Sequence, residues 1–307
     1  MTRVAAVDCG TNTIRLLVTD VDPASGAQED LVREMRIVRL GQGVDRTGRL
    51  ADEALSRVFA AVEEYAALIE PHGVDALGFV ATSAARDASN ADLFTEGIRS
   101  RLGVLPEVVT GAEEAQLSYD GATRSLPVVP APMAVLDIGG GSTELILGDS
   151  HGHVRAARSL DVGSVRVTER LMPSDPPTDE EVAAATRMVD DALDTLPSYG
   201  VHADDAATLV GVAGTVTTVA SLLLGLDTYE RDRVHHATFA AAEVHAMAAR
   251  LLGMRAAERE AAGVPRGRSD VIGAGALILD RVLHRAATER LTVSDADILD
   301  GIAWSIA

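Results

Sequence analysis

Residues 135–147 read VLDIGGGSTELIL: an apolar strand ending in Asp137, three consecutive glycines, a Ser-Thr pair, and Glu144 at the head of a second apolar strand. Gly139, Gly140 and Gly141 open backbone conformations closed to other residues and leave no Cβ in the way, so a phosphate can approach the main-chain N–H groups of such a turn directly. A hairpin with no role beyond its own turn has the same outline. The chain, however, contains the pattern twice. Sliding the sequence so that Asp137 falls on Asp8 also brings Gly139 onto Gly10, Ser142 onto Thr13 and Glu144 onto Arg15. MAVLDIGGGSTELILGD (133–149) then lies on VAAVDCGTNTIRLLVTD (4–20), and the two copies close on Asp149 and Asp20. Such a match marks a duplicated unit. It predicts two related halves whose anion-binding turns face one cleft.

The 307 residues are enough for about two domains, each with its own core. Aromatics make up only 3% of the chain, so Ala, Val, Leu and Ile must fill those cores. All 27 basic residues are arginine. The absence of lysine excludes a P-loop lysine, a pyridoxal Schiff base and a lysine nucleophile. Any side-chain cation that grips an anion is therefore arginine, whose planar fork suits phosphate oxygens. A formal charge of −19 argues against nonspecific binding to nucleic acid or an anionic membrane, because the mean field repels polyanions. A phosphate substrate needs local arginines or a divalent cation.

Cys9 is the single cysteine, which fits a reducing cytosol and a cytoplasmic location. It reads either as a redox-sensitive site or as a small buried residue, and burial is the favoured reading. The N-terminus enters a strand within eight residues, so no signal peptide is expected. The most lipid-like window, 208–226, carries four threonines and three glycines and reads as a buried strand-turn-helix.

In chain order, the pattern predicts a third strand over 31–40, a glycine-rich loop over 41–50, and a helix capped by Asp52. A buried strand over 76–81 then runs into TSAARDASN. Loops after strand C-termini are where α/β folds place ligands, so Arg86 is a candidate phosphate grip, with a salt bridge to Asp87 the equal alternative. In GAEEAQLSYDG, Glu113 and Glu114 open a helix, where acidic residues ordinarily serve the helix dipole. Three prolines in LPVVPAP (126–132) mark the crossover between domains 1–125 and 126–307, the last helix being open to packing back on the first domain.

In the second half the pattern predicts a strand over 160–166 leading into a helix over 167–171. Thr178 and Glu181 make a capping box for a helix over 179–196. Gly214 and Thr215 open a helix that is either an anion site or a close-packed turn. The eight histidines show no His-x-x-x-His spacing, so a zinc site is not expected. Arg266, Arg268 and Asp270 precede a helix of small residues, and a last helix is capped by Ser294.

This pattern resembles the duplicated ribonuclease-H-like fold of the actin, Hsp70 and sugar-kinase type: an α/β chain of two such domains with an interdomain cleft. More narrowly, the chain is similar to the exopolyphosphatase and guanosine pentaphosphate phosphohydrolase family, Ppx/GppA. AVDCGTNTIRLLV, FVATSAARDASN, VTGAEEAQLSYDGA, VLDIGGGSTELILG, GVAGTVTTVA and RSDVIGAGALIL carry the likeness in order, across nearly the whole chain. The resemblance implies Glu114 as the base that activates water, and Asp8, Asp137 and Glu144 as ligands of Mg²⁺ or Mn²⁺. It implies phosphate contacts from Thr11, Asn12, Thr13, Arg15 and Arg86, from Gly139, Gly140, Gly141, Ser142 and Thr143, and from Arg268.

The implied activity is hydrolysis of the terminal phosphoanhydride of inorganic polyphosphate, by metal-assisted attack of an activated water. Guanosine pentaphosphate is the alternative substrate, and a non-catalytic nucleotide or polyphosphate sensor or a sugar or acetate kinase are more distant ones. Adenine nucleotides are further ligands to test, and a homodimer is one assembly to test. Neither nucleic acid nor membrane is an expected partner. Longer members of the family carry a further C-terminal helical region, and the end of this sequence at Ala307 gives the expectation of a preference for short chains.

Overall fold

In the computed structural model, which describes residues 1–127 and 129–307, the chain divides into two compact units. Val128, inside the proline-rich crossover, lies outside the described residues. The first unit comprises Met1–Arg124 together with Asp297–Ala307, and the second comprises Ser125–Ala296.

The first unit opens with β1 (Thr2–Cys9), β2 (Thr13–Asp22) and β3 (Ala27–Ile37), then α1 (Val44–Thr47) and α2 (Asp52–Ile69). It continues through β4 (Ala76–Ala81), α3 (Ser83–Arg86), α4 (Ala91–Leu102), β5 (Glu107–Val108) and α5 (Gly111–Arg124). The second unit repeats the opening as β6 (Met133–Ile138), β7 (Thr143–Gly148) and β8 (Val154–Leu160), followed by α6 (Ser164–Leu171) and α7 (Asp179–Leu193). Next come β9 (Thr208–Val212), α8 (Ala213–Leu223), α9 (Arg231–Val234), β10 (Thr238–Ala240), α10 (Ala241–Leu252), α11 (Ala256–Ala261), α12 (Ile272–Leu283) and β11 (Arg290–Val293). α13 (Ile298–Ser305) completes the first unit.

The two sheets share one topology. In the first, the order is β3-β2-β1-β4-β5, with β1, β2 and β3 antiparallel and β4 and β5 parallel to β1. In the second, β8-β7-β6-β9-β11 repeats that order and those directions, and β10 adds an antiparallel edge. Both units are ribonuclease-H-like α/β folds, and their common wiring is the duplication that the two glycine turns announce in the sequence.

The alternation of β1 decides which face each functional residue takes, since successive side chains on a strand point to opposite faces. Ala5, Val7 and Cys9 pack with α2 and α4 residues such as Val58, Val62, Phe94 and Ile98. Val4 and Ala6 pack on the other face with Ile298, Leu299 and Ile302 of α13. Asp8 falls on the α13 face, and so does its register partner Arg15. In β6, Ala134, Leu136 and Ile138 enter the main core of the second unit. Asp137 is therefore turned to the opposite face, together with Glu144, its partner across the hairpin.

Several boundaries differ from the sequence reading, each for a local reason. β3 ends at Ile37 because the amides of Val38 and Arg39 turn onto the Asn12 carbonyl, with Arg39 left-handed at φ 49°. Ala51, not Asp52, is the N-cap of α2, and Asp52 is its first helical residue. No strand runs to residue 166: the amides of Ser164, Val165 and Arg166 bond the Gly139 and Gly140 carbonyls, which starts α6 at Ser164. The Thr178–Glu181 capping box is present, but α7 stops at Leu193 and a short 3-10 turn over Leu196–Tyr199 carries Pro197, which has no N–H to donate. α13 is capped by Asp297, whose carboxylate accepts from the Leu299 amide at 3.0 Å, while the Ser294 hydroxyl donates to the Ala296 carbonyl. No helix among the described residues is long and apolar enough to cross a membrane.

Candidate active site

The two glycine turns are built alike. The Gly10 amide donates to the Thr13 carbonyl at 2.9 Å, and the Gly139 amide to the Ser142 carbonyl at 3.0 Å. Further carbonyls of each turn are tied back by a neighbouring segment. Gly41 donates to Thr11 O, and Val38 and Arg39 donate to Asn12 O. In the second copy, Ser164 donates to Gly139 O, Val165 and Arg166 to Gly140 O, and the Arg166 Nε to Gly141 O at 2.7 Å. No acceptor among the described residues takes the amides of Thr11, Gly140 or Gly141. A turn whose carbonyls are spent and whose N–H groups remain available is an anion nest.

The close approach behind these bonds requires glycine at two positions. A Cβ on Gly41 would lie 2.2 Å from the Thr11 Cγ2, and one on Gly163 would lie 2.5 Å from the Gly140 carbonyl oxygen.

Carboxylates flank both turns. Asp8 stands opposite Arg15 across β1 and β2, and its Oδ2 accepts from the Arg15 Nε at 3.0 Å and Nη2 at 2.6 Å. The Arg15 Nη1 is also paired with Asp297, the N-cap of α13. The Asp8 Oδ1 is buried with no hydrogen-bond partner. Burial raises the Asp8 pKa above the ordinary carboxylate value, the charge and hydrogen bonds of Arg15 pull it down, and the neighbouring Asp297 charge adds to the rise. Burial alone would lower the pKa of Arg15, but the carboxylates of Asp297 and Asp8 outweigh it and hold the guanidinium firmly charged. In the second unit, Asp137 and Glu144 are 6% and 1% exposed, and the Glu144 Oε1 accepts from the Ser159 hydroxyl at 2.6 Å. The Thr143 hydroxyl is buried and also has no partner.

The first turn of α5 separates two adjacent glutamates. Glu113 is exposed and accepts from the Thr110 amide and hydroxyl, both at 2.8 Å, which lowers its pKa and spends it on the helix start. Glu114 is 7% exposed and accepts from the Arg86 Nη1 at 3.2 Å, while the same nitrogen donates to the Val109 carbonyl at 2.9 Å. Arg86 is thus bridged to Glu114, not to Asp87 in the local pair that the sequence left open. Helix packing fixes where α5 runs: a Cβ on Gly121 would meet the Asp297 carbonyl oxygen at 1.8 Å, and one on Gly301 the Leu117 carbonyl oxygen at 2.0 Å. The helix that carries Glu114 and the helix capped by Asp297 therefore cross backbone to backbone.

Of the residues expected to bind phosphate, Thr11 is buried, with its hydroxyl 3.0 Å from that of Ser83, and Thr13 opens β2. Asn12 offers its carbonyl to the β3 exit, as described. Arg268 is held on the first turn of α8, where its Nη1 donates to the Gly214 carbonyl at 2.8 Å and to the Thr218 hydroxyl at 2.9 Å. Ala213, the first residue of that turn, is left-handed at φ 64°, and a Cβ on Gly214 would lie 2.3 Å from the Arg268 Nη2. In the first unit the fold joins Asp8 to Arg15 and Arg86 to Glu114, and in the second it sets Asp137 against Glu144.

Sequence reasoning did not find Asp297, Arg166 or Ser159. Asp297 had one signal, the acid at position 300 three residues on, which makes a capping box with Asp297. Cys9 is 1% exposed, and burial together with the Asp8 charge raises its thiol pKa, which leaves no reactive thiolate there.

The sequence profile of the Ppx/GppA phosphatase family matches residues 17–307. Exopolyphosphatase 2 of Mycobacterium tuberculosis is 46% identical over an alignment covering 100% of this chain and 99% of that protein. Among solved structures, an exopolyphosphatase-like protein superposes with a TM-score of 0.94 at 41% identity, covering 99% of this chain and 97% of that one. The Ppx/GppA enzyme of Aquifex aeolicus gives 0.82 at 31%, covering 99% of both chains. With its two glycine turns, their flanking acids and this full-length likeness, the chain belongs to the Ppx/GppA phosphatase family.

Proposed function

We propose that this protein is an exopolyphosphatase, releasing orthophosphate from the end of inorganic polyphosphate, and that it favours short chains. The observation that carries this reading is the pair of matching turns, each with its carbonyls tied back and with carboxylates standing beside it. The name borne by the relative from Mycobacterium tuberculosis supports the substrate class.

Phosphoryl transfer to water asks a protein mainly for positioning and for charge stabilisation. Glu114 takes a proton from the attacking water, whose oxygen forms a bond to the terminal phosphorus as the bridging P–O bond breaks. Burial of Glu114 and its contact with Arg86 hold the carboxylate in one orientation. Thr11, Asn12 and Thr13, with Gly139 to Thr143, hold phosphoryl oxygens through turn amides and hydroxyls. Arg86 contributes charge next to Glu114. Arg15 is assigned to orienting Asp8, since two carboxylates already take its guanidinium. Arg268 is assigned to keeping the first turn of α8 in place.

Asp8, Asp137 and Glu144 offer the hard oxygen donors that Mg²⁺ or Mn²⁺ selects. The Asp8 Oδ1 fits that role on its own evidence, because a buried carboxylate oxygen without a partner is costly until a proton or a cation meets it. When bound, the cation would neutralise the charge that develops on the departing phosphate oxygens.

The deciding experiment measures phosphate release from polyphosphates of defined short length and from guanosine pentaphosphate, with Mg²⁺, with Mn²⁺ and after chelation. Release from polyphosphate that stops on chelation is the expected result. Faster release from guanosine pentaphosphate would move the protein to the family's other substrate. Tight binding of polyphosphate with no release would make it a sensor.

A further inference from the structure

α10 and α12 pack side by side in the second unit through Val244, Met247, Ala248, Leu277 and Ile278. Where they meet, three side chains that play no part in the proposed hydrolysis converge. The His245 Nδ1 of α10 lies 2.7 Å from the Asp280 Oδ1 of α12. The Nδ1 of His284, the residue that ends α12, lies 3.5 Å from the other oxygen of the same carboxylate and 2.8 Å from the Asp280 carbonyl. The two imidazole rings are 4.2 Å apart, centroid to centroid. One ligand atom from each residue lies within 4.8 Å of the other two. From this we infer that His245, Asp280 and His284 form a site for a divalent transition metal of the zinc type, separate from the residues assigned to phosphate.

The chemistry of the donor set selects the metal. Two imidazole nitrogens and one carboxylate oxygen suit Zn²⁺ or Co²⁺ and leave a fourth position for water, whereas Mg²⁺ prefers oxygen donors. Donors on a tetrahedral Zn²⁺ stand about 3.4 Å apart, given bond lengths near 2.0–2.1 Å, so modest side-chain rotation closes the observed spacing. Asp280 and His284 are four residues apart along the end of α12, which places them on one face. The side chains of His245 and His284 are 29% and 48% exposed, so an ion reaches them from solvent.

Asp280 also remains available as a ligand. Its neighbour Arg281 is drawn to Asp190 of α7, with Nε 2.8 Å from Oδ1 and Nη2 3.2 Å from Oδ2, and comes only to 3.9 Å from Asp280. Asp190 takes Arg285 as well, at 2.8 Å. Arg281 is thus held mainly by another acid, and a net charge of −19 favours cation capture in general. A bound ion would link α10 to α12, a constraint absent from the unfolded chain. The histidine spacing alone conceals the site, because its ligands come from two helices and one of them is an aspartate.

The test uses tag-free, chelator-treated full-length protein titrated with Co²⁺ alone, with visible absorption as the readout, followed by displacement with Zn²⁺. One equivalent of Co²⁺ with the intense absorption of a four-coordinate ion, bleached by Zn²⁺, is expected, together with a rise in Tm on adding Zn²⁺. His284→Ala should weaken binding at least tenfold and His245→Ala/His284→Ala should abolish the signal, while Mg²⁺-supported phosphate release by His284→Ala stays at the wild-type rate. Asp137→Asn should leave the cobalt spectrum unchanged, which separates this site from the oxygen-donor residues. Wild-type protein with only the weak absorption of six-coordinate cobalt, or a His284→Ala variant that binds Co²⁺ as wild type does, would overturn the assignment. Circular dichroism checks the fold of each variant. Should the double variant fail to fold, the exposed His284→Ala decides the question.

Discussion

At the scale of single residues, the adjacent glutamates of α5 show how environment divides labour between identical side chains. Glu113 spends its carboxylate on the Thr110 amide and hydroxyl, and Glu114 is turned inward onto Arg86. Glu114→Gln keeps the shape and removes the proton acceptor. Loss of a positioned general base typically costs about 10²–10⁴ in rate. Phosphate release should fall by that range while polyphosphate still binds, whereas Glu113→Gln should cost stability at the helix start and leave the rate near wild type. Single-turnover release and equilibrium binding on the two variants check the contrast; equal loss in both would remove Glu114 from its role.

A second residue-scale prediction concerns acid. His236 is held left-handed at φ 65°, with its Nε2 buried and unpartnered and its ring centroid 3.7 Å from that of His235, the rings tilted by 32°. Burial, helped by the charge of Arg231, lowers its pKa below the ordinary histidine value of 6.5. The unfolded chain therefore takes up this proton before the folded one does. The stability that a neutral His236 contributes is complete above the unfolded value and is lost as pH falls from there through the lower folded value. The Tm should drop across that window, and His236→Asn, which tolerates the left-handed backbone, should flatten the drop. An identical acid limb in the variant would place the effect elsewhere.

At the scale of elements, the contact of α5 with α13 connects the end of the chain to the assigned base. Gly121 and Gly301 let the two backbones touch, and Asp297 at the head of α13 reaches Arg15, which in turn holds Asp8. A methyl group at residue 301 has nowhere to go but into the Leu117 carbonyl, and overpacking of this kind costs about 1–3 kcal/mol. Gly301→Ala should lower the Tm accordingly and also reduce phosphate release, because α13 must shift and take Asp297 with it. Chemical denaturation and activity on the same preparation check both; a variant with wild-type stability would mean that the helices separate without cost.

At the scale of the whole molecule, the proposed preference for short chains rests on charge. A chain of net charge −19 repels a long polyanion along its length, while a short one presents little beyond its reacting end. The kcat/KM per chain end should therefore be higher on polyphosphates of a few phosphates than on chains of several hundred. Added salt should narrow the gap, since screening shortens to about 8 Å at 0.15 M ionic strength and further above it. Equal values per chain end at low salt would refute the idea.

Much of this architecture was legible in the chain. Strand, turn and flanking acid are local features written in apolar runs and glycines, and the repetition of MAVLDIGGGSTELILGD as VAAVDCGTNTIRLLVTD exposed the duplication that the shared strand order displays. Asp8, Asp137 and Glu144 could be singled out because each stands beside a glycine turn, whereas Glu114, at a helix start where acids ordinarily serve the dipole, was named only through the family resemblance. What tertiary structure alone decided is which charges meet. Arg15, for which the resemblance implied a phosphate contact, is paired with Asp8 beside it and with Asp297 near the other end of the chain. Arg86 finds Glu114 and not the adjacent Asp87, and His245 meets Asp280 and His284 across two helices. Local patterning is set by short-range sterics and hydrophobic periodicity, which act between near neighbours in sequence. Ion pairs and ligand sets depend on distances between residues far apart in the chain, and only the packed fold brings those together.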